Sequence, residues 1–510
     1  MIEETDVLII GCGLAGAISA LEIAKQGLRV TLIASGKGSS YRAQGGISYQ
    51  TSHQEDSKLF KEDILRAGAG LCYPKAVDHL VKRGPECIQK ILLEDLKVPF
   101  EKSVEGNWKL TKEAAHSVPR ILYHGDTSGR SMMDAALKRI AEEPLITLKY
   151  DHTAIDLITL SHHSKRAEDL YTVPTCVGAY VLVDQKVHTL LAQETILATG
   201  GLGEVFLHTT NGREARGDGI AMAYRAGVRI MNMEYIQFHP TSLYTIGEPR
   251  FLLSEALRGE GAKILSHDLI PFMDELAPRD QAARAIFQEM TRTGRSHLWL
   301  DISFKDNAFL KERFPTIYQH CQERGWDLTQ APIPIVPAAH YSCGGIAVDL
   351  EGKTTMRRLH AIGEVACSGV HGANRLASTA LLEALVWAHA CAQSITKNWK
   401  TDLFPEVESW RMGRERIEEG LIQQDWITLK QTMWNYVGLV RNTHRLKRAD
   451  KMLRELKWEI DAFYADAILT PELLGLRNGC ETALLITQGA LRNRHSCGVH
   501  YRLPSNQEII

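Results

Sequence analysis

The stretch Asp6-Val-Leu-Ile-Ile-Gly-Cys-Gly-Leu-Ala-Gly16 restricts the folds open to this chain more than any other. An apolar run of strand type, Val7 to Ile10, breaks at once into Gly11-x-Gly13-x-x-Gly16, and a helical pattern follows from Leu14 to Gln26. A second apolar run, Val30 to Ile33, closes strand, turn, helix and strand within about thirty residues, the size of a dinucleotide-binding βαβ unit. Gly11 permits the tight turn, Gly13 lets a pyrophosphate approach bare backbone, and Gly16 lets the helix pack on the strand. The helix N-terminus offers unpaired N–H groups and a positive dipole end to the phosphates. The acid that usually ends the second strand and binds a ribose hydroxyl is missing, because Ala34-Ser35-Gly36-Lys37 occupies its place. The motif alone leaves FAD and NAD both open.

At 510 residues the chain is long enough for two or three domains and a large buried core. A net charge of −2 carries no basic excess that would point to nucleic acid. Its apolar runs are short and interrupted, far from the roughly 20 residues a membrane span needs. The N-terminus, with Glu3, Glu4 and Asp6, lacks the basic then apolar order of a signal peptide, so a cytoplasmic protein is expected. Ten cysteines are scattered singly, with no CxxC and no Cys/His spacing suited to zinc or an iron–sulfur cluster. Reduced cytosolic thiols are the expectation, so any redox chemistry must come from an organic cofactor.

Further along, Ser39-Ser-Tyr-Arg-Ala-Gln-Gly-Gly-Ile47 is small and polar, and its glycine pair allows close approach to a ligand. Residues 56 to 95 read as helices, and a further helix runs to Ile140. Residues 146 to 195 alternate in strand fashion, which predicts an antiparallel flap inserted into the nucleotide domain. The segment 233–346 changes character, rich in His, Arg and Pro, and reads as a second domain inserted into the first. Residues 396 to 408 look like a linker, and a bundle of three or so helices follows from 409 to about 492. The basic run Arg441, His444, Arg445, Lys447, Arg448, Lys451 is read as a solvated helix face.

Eight ordered motifs then carry a resemblance. They are Ala43-Gln-Gly-Gly46, Ala198-Thr-Gly-Gly201, Gly217-Asp-Gly219, Phe238-His-Pro-Thr241, Glu255-Ala-Leu-Arg-Gly-Glu-Gly-Ala262, Leu276-Ala-Pro-Arg-Asp280, Ala339-His-Tyr-Ser-Cys-Gly-Gly345 and Gly372-Ala-Asn-Arg375. With them the chain resembles, along nearly its whole length, the L-aspartate oxidases, a branch of the flavoprotein family of succinate dehydrogenase and fumarate reductase. The resemblance implies an α/β fold: a Rossmann-type FAD-binding domain in two parts (1–232 and 347–400), an inserted α+β capping domain (233–346) and a C-terminal helical domain (401–510). It also selects FAD. Gly11, Gly13 and Gly16 would hold the pyrophosphate, Ser39 to Gly46 (with Ser40, Ala43, Gln44 and Gly45) would wrap the flavin, and Asp218 and Glu364 would meet its ribityl and ring side. Leu14, Ala15, Ser35, Lys37, Ala380 and Leu381 complete that set. The complex II subunits attach FAD through a histidine where this chain has Ser39, so non-covalent FAD is implied.

By the same resemblance His239, Ser254, His340 and Arg375 grip the two carboxylates of a four-carbon dicarboxylate. The residue chemistry suits that task, since Arg offers a bidentate fork, His and Ser add donors, and charge-assisted bonds contribute about 1.5–3 kcal/mol each. Glu113 matches the position where a carboxylate meets the substrate's α-ammonium in the aspartate oxidases, whereas the succinate and fumarate enzymes carry a neutral residue there. A carboxylate there would repel a bare dianion and attract an ammonium. Arg279 matches the family's proton-transfer residue, and Glu255 and Arg258 its relay to solvent. The implied reaction oxidises L-aspartate to iminoaspartate by hydride transfer to FAD, with oxygen or fumarate as acceptor, as the first step towards quinolinate and NAD. Quinolinate synthase is the implied consumer. Two departures stand out: Cys497 in Ser496-Cys-Gly-Val-His500, where the family usually has arginine, and Arg42, which replaces a neutral or aromatic residue. Two other readings stay open: a soluble fumarate reductase or succinate-oxidising flavoprotein, and a non-catalytic flavin-binding component.

Overall fold

The computed structural model describes residues 2–50, 54–113, 115–247, 249–275 and 277–504. Leu276, the first residue of one motif, and residues 505–510 lie outside the described residues. The fold is α/β, and its organising layer is a parallel sheet. Strand β1 (Ile2–Ile10) lies between β2 (Val30–Ala34) and the long strand Lys186–Leu197, with both pairings parallel. The residues Val7 to Ile10 are fully or almost fully buried, as expected of a parallel strand covered on both faces. Helix α1 (Leu14–Ala24) packs on this layer and ends where Gly27 takes φ +84°, three residues past its last turn.

The alternating stretch 146–195 is not one flap. Ile146–Tyr150 joins the parallel sheet at its edge, beside β2. Only Thr153–Thr159 and Cys176–Val183 form an antiparallel hairpin, and that hairpin pairs with the first half of Lys186–Leu197. The second half of the same strand pairs in parallel with the return strand Leu359–Ala361. Alternation reports that a strand has two unlike faces; it does not report the direction of its neighbour, and here the two directions meet on one strand.

A second, five-stranded antiparallel sheet runs in the order Phe251–Leu252, Ile236–Leu243, Ile333–Ser342, Leu298–Asp301, Lys263–Leu265. Helix Arg279–Thr293 packs on it. A small sheet of Gly46–Ser48, Ile121–Tyr123 and Leu110–Thr111 brings the residue-45 glycine turn next to the loop that carries Glu113. Three long helices, Glu419–Val437, Thr443–Tyr464 and Pro471–Arg492, pack on one another at the C-terminal end. Of the basic run there, His444, Lys447, Arg448 and Lys451 are exposed, but Arg441 is buried, donating from Nη1 to the Glu234 carbonyl (2.7 Å) and meeting His500 Nδ1 at 2.6 Å.

Candidate functional site

One cavity of about 510 Å³ runs from the end of β1 to the inserted antiparallel sheet. Its first half is built of backbone. Gly11 sits at φ +112°, and a Cβ there would stand 2.2 Å from the Ala198 carbonyl oxygen. A Cβ on Gly16 would stand 2.0 Å from the Gly11 carbonyl oxygen, so this glycine packs helix against turn and does not line the cavity. At Gly13 the nearest atom is Ser40 Oγ at 3.3 Å, and the same hydroxyl accepts from the Leu14 N–H at 3.2 Å. Leu14, Ala15, Ser35, Ser39, Ala43, Gly45, Gly46, Asp218, Glu364, Ala380 and Leu381 all line the cavity. Lys37 does not; its ammonium lies 4.5 Å from the centre of the Tyr41 ring.

FAD fits this half on observations independent of any motif. The glycine turn leaves no room for side chains, and two buried polar atoms on the wall, Gln44 Oε1 and Thr199 Oγ1, have no protein partner. Gln44 Nε2 is spent on the Leu252 carbonyl at 2.7 Å, so the free oxygen is held in place for a donor. Asp218 is paired with Arg216 at 2.9 Å and accepts from Asn478 Nδ2 at 2.9 Å, which fixes its carboxylate at the start of helix Asp218–Arg225. Glu364 accepts from the Ser342 N–H at 3.0 Å, and burial pushes it up to about 7. Arg42, half exposed, bonds Glu214 at 2.8 Å at the rim.

The second half of the cavity is built of charged side chains from four separate stretches. His239 and His340 lie on neighbouring antiparallel strands with ring centres 5.3 Å apart. His239 Nδ1 receives the Thr241 N–H at 3.2 Å, and His340 Nδ1 lies 2.8 Å from Thr210 Oγ1. These contacts engage both Nδ1 atoms, so the Nε2 edges remain for a ligand. Burial holds both rings well below their ordinary range, helped by Arg279 at His239 and by Arg375 at His340, so both are neutral near pH 7. Arg375 is buried, donates from Nη2 to Gln237 Oε1 at 3.1 Å, and stacks 4.5 Å from the centre of Tyr341. Its Nε has no protein partner. Ser254 lines the cavity beside them.

Glu113 is buried, and its Oε2 accepts from Ser378 Oγ at 2.7 Å. Burial raises its pKa above the ordinary carboxylate range, with Arg279 pulling the other way. Arg279 Nε bonds Glu255 Oε2, and Arg258 Nη2 bonds Glu255 Oε1 at 2.8 Å. Burial alone would raise Glu255, but the two guanidinium groups outweigh it and hold the carboxyl below its ordinary range. Arg258 itself does not line the cavity.

Several lining or supporting residues carry no signal in the sequence. Thr210, Gln237, Tyr341 and Ser378 each hold a charged or ring group in place, but only through contacts between segments distant along the chain. The departure at Cys497 is accommodated: its thiol meets the Ala69 carbonyl at 3.4 Å, and Val499 N–H donates to the Ala373 carbonyl at 3.0 Å, two residues before Arg375. Among the described residues no cluster of His, Cys, Asp and Glu could hold a metal ion, and no helix is long and apolar enough to cross a membrane.

Comparison with known proteins adds to this geometry. The chain matches the family model described as FAD binding domain over residues 6–381, and that described as fumarate reductase flavoprotein C-term over residues 427–507. It is 42% identical to L-aspartate oxidase 1 of Ralstonia nicotianae, covering 97% of this chain and 94% of that one. It is 41% identical to the L-aspartate oxidase of Yersinia pestis (99% and 97% covered) and 36% identical to the chloroplastic enzyme of that name from Oryza sativa (97% and 81%). Among solved structures, an E. coli quinol fumarate reductase superposes with a TM-score of 0.87 at 23% identity, covering 99% of this chain and 92% of that chain, a likeness of fold.

Proposed function

The chain belongs to the L-aspartate oxidase family of FAD-dependent oxidoreductases, and from that premise we propose that its cavity oxidises L-aspartate to iminoaspartate, the first step of NAD biosynthesis through quinolinate. The observation that carries the reading is the buried carboxylate of Glu113 facing a site otherwise lined with arginine and histidine. A plain dicarboxylate has no use for that charge, whereas an α-ammonium does.

Bound FAD, held non-covalently by the glycine turn, the Ser39–Gly46 segment and the Asp218–Glu364 side, supplies the hydride acceptor. Arg375, His239, His340 and Ser254 bind the two carboxylates. Neutral imidazoles whose Nδ1 atoms accept from Thr241 and Thr210 present Nε2–H donors, so the histidines hold substrate without adding charge. Glu113 orients the ammonium and thereby Cα. Arg279, fixed by Glu255, receives a proton at the substrate, and Arg258 holds Glu255 from behind. The proposed division of the chain follows: 1–232 and 347–400 hold the cofactor, 233–346 caps it, and 401–510 buttresses it. Oxygen or fumarate is the proposed acceptor, the cytoplasm the proposed location, and quinolinate synthase the proposed consumer of the unstable imine.

Anaerobic visible absorbance of the purified holoprotein tests this. L-Aspartate is expected to bleach the flavin band and succinate to leave it. Bleaching by succinate alone would place the chain with the succinate-oxidising enzymes and reduce Glu113 to a structural acid; a band unchanged by either would mark a non-catalytic flavin protein.

A further inference from the structure

The Arg279–Glu255–Arg258 chain does not reach solvent. Arg258 is 1% exposed, its Nη1 donates to the backbone carbonyls of Glu275 (2.8 Å) and Ala277 (3.4 Å), and its Nε is buried without a partner. Neither a carbonyl oxygen nor a second arginine can carry a proton away at neutral pH.

Behind the same pair lies a second cavity of about 360 Å³. Glu255, Arg279 and Arg375 line both cavities, so these three side chains form the partition between them. The rest of its wall includes Asp280, Gln281 and Asn374, a polar lining with room for several waters. Arg66, Ala69, Ala115 and Gln281, all exposed, place its mouth at the surface. Arg279 spends Nε on Glu255, and its Nη1 is buried without a protein partner.

We propose that this second cavity is the aqueous outlet through which the proton released by the substrate reaches solvent, with Arg279 as the doorway. The inference rests on the oxidative reading above. Oxidation of the Cα–N bond removes a hydride from Cα and turns an ammonium into an iminium, so one proton must leave. Arg279 accepts it on the substrate side as a water in the cavity takes another from the guanidinium, and the arginine never persists as a neutral species. No bond to carbon changes in this leg.

A reversible plug tests it without depending on folding of a bulky variant. Gln281→Cys, on the exposed first turn of helix Arg279–Thr293, is treated with benzyl methanethiosulfonate and later with dithiothreitol, beside parent protein treated identically. The plugged holoenzyme is expected to bleach with L-aspartate at least tenfold more slowly, with a larger solvent deuterium isotope effect and malonate binding unchanged within twofold. Thiol release should restore the parent rate. A plugged enzyme with parent rate and isotope effect overturns the outlet. Should the parent bleach with succinate instead, the same comparison is made with succinate, so the substrate reading can fail while the outlet stands or falls separately. A high-resolution crystal structure supplies a readout other than activity: ordered waters from Arg279 Nη1 past Gln281 to bulk are expected, and a dry cavity would refute the proposal.

Discussion

The two halves of the main cavity are made of different materials. The cofactor half is backbone: glycines whose missing Cβ atoms leave room for a ligand and for the Ala198 carbonyl to approach. The substrate half is side chain: five ionisable or ring groups, buried and held by single hydrogen bonds from Thr210, Thr241, Gln237 and Ser378. A backbone cradle fails all at once when one atom is added. A side-chain cluster is adjustable, one charge at a time, and that is where a common fold acquires different substrates.

The contrast can be broken or sharpened at three points. The largest effect is expected at Gly11→Ala. A Cβ 2.2 Å from a carbonyl oxygen, at φ +112°, should cost more than about 4 kcal/mol and abolish flavin retention, read by flavin absorbance per protein after gel filtration and by the urea midpoint. A yellow, equally stable variant would show that the cradle can yield.

Next comes Glu364, the one carboxylate that the cofactor half buries with its pKa pushed up to about 7. A raised acid favours the protonated fold, so its cost is absent below the ordinary value of 4.5, accrues as pH rises to 7, and is constant above. The cofactor-free Glu364→Gln protein should therefore gain stability over the parent by about 3 kcal/mol between pH 4.5 and 7. Urea midpoints at pH 4.5 and 8 measure this, and a constant gap would mean that the carboxylate is not desolvated.

The smallest but most selective effect belongs to the substrate half. Glu113→Gln should weaken L-aspartate about 100-fold and succinate by less than about threefold. Titration of the anaerobic holoprotein with each compound compares them, and equal losses would remove Glu113 from the ammonium site.

The difference in materials also explains what could be read without a structure. The glycine turn, the buried β1 and the helix after it are local, and the spacing of three glycines suffices to place them. Glu113, His239, Arg279, His340 and Arg375 were reachable only because motifs mark them; their convergence on one cavity is a product of the inserted sheet and of the small sheet that sets Gly45 beside Glu113. Their supports were not legible. Thr210 and Ser378 are ordinary residues until the fold brings them to His340 and Glu113. Lys37 illustrates the opposite limit, because proximity in sequence to a cofactor loop does not stop a lysine from turning onto a tyrosine ring. Ile146–Tyr150 reads as flap because alternation carries no strand direction.

The double duty of strand Lys186–Leu197 has a kinetic consequence. Gly11, the residue that opens the cradle, is seated by Ala198, and Ala361 closes the next position of the same layer. The apparently local fingerprint at the N-terminus is thus completed by strands that arrive much later along the chain. Parallel pairing over such separations is slow and exposes apolar edges while it waits. Cofactor capture is then a report of finished folding: a chain still searching for its third and fourth parallel partners has the glycines but no pocket, and it stays colourless until the last strand docks.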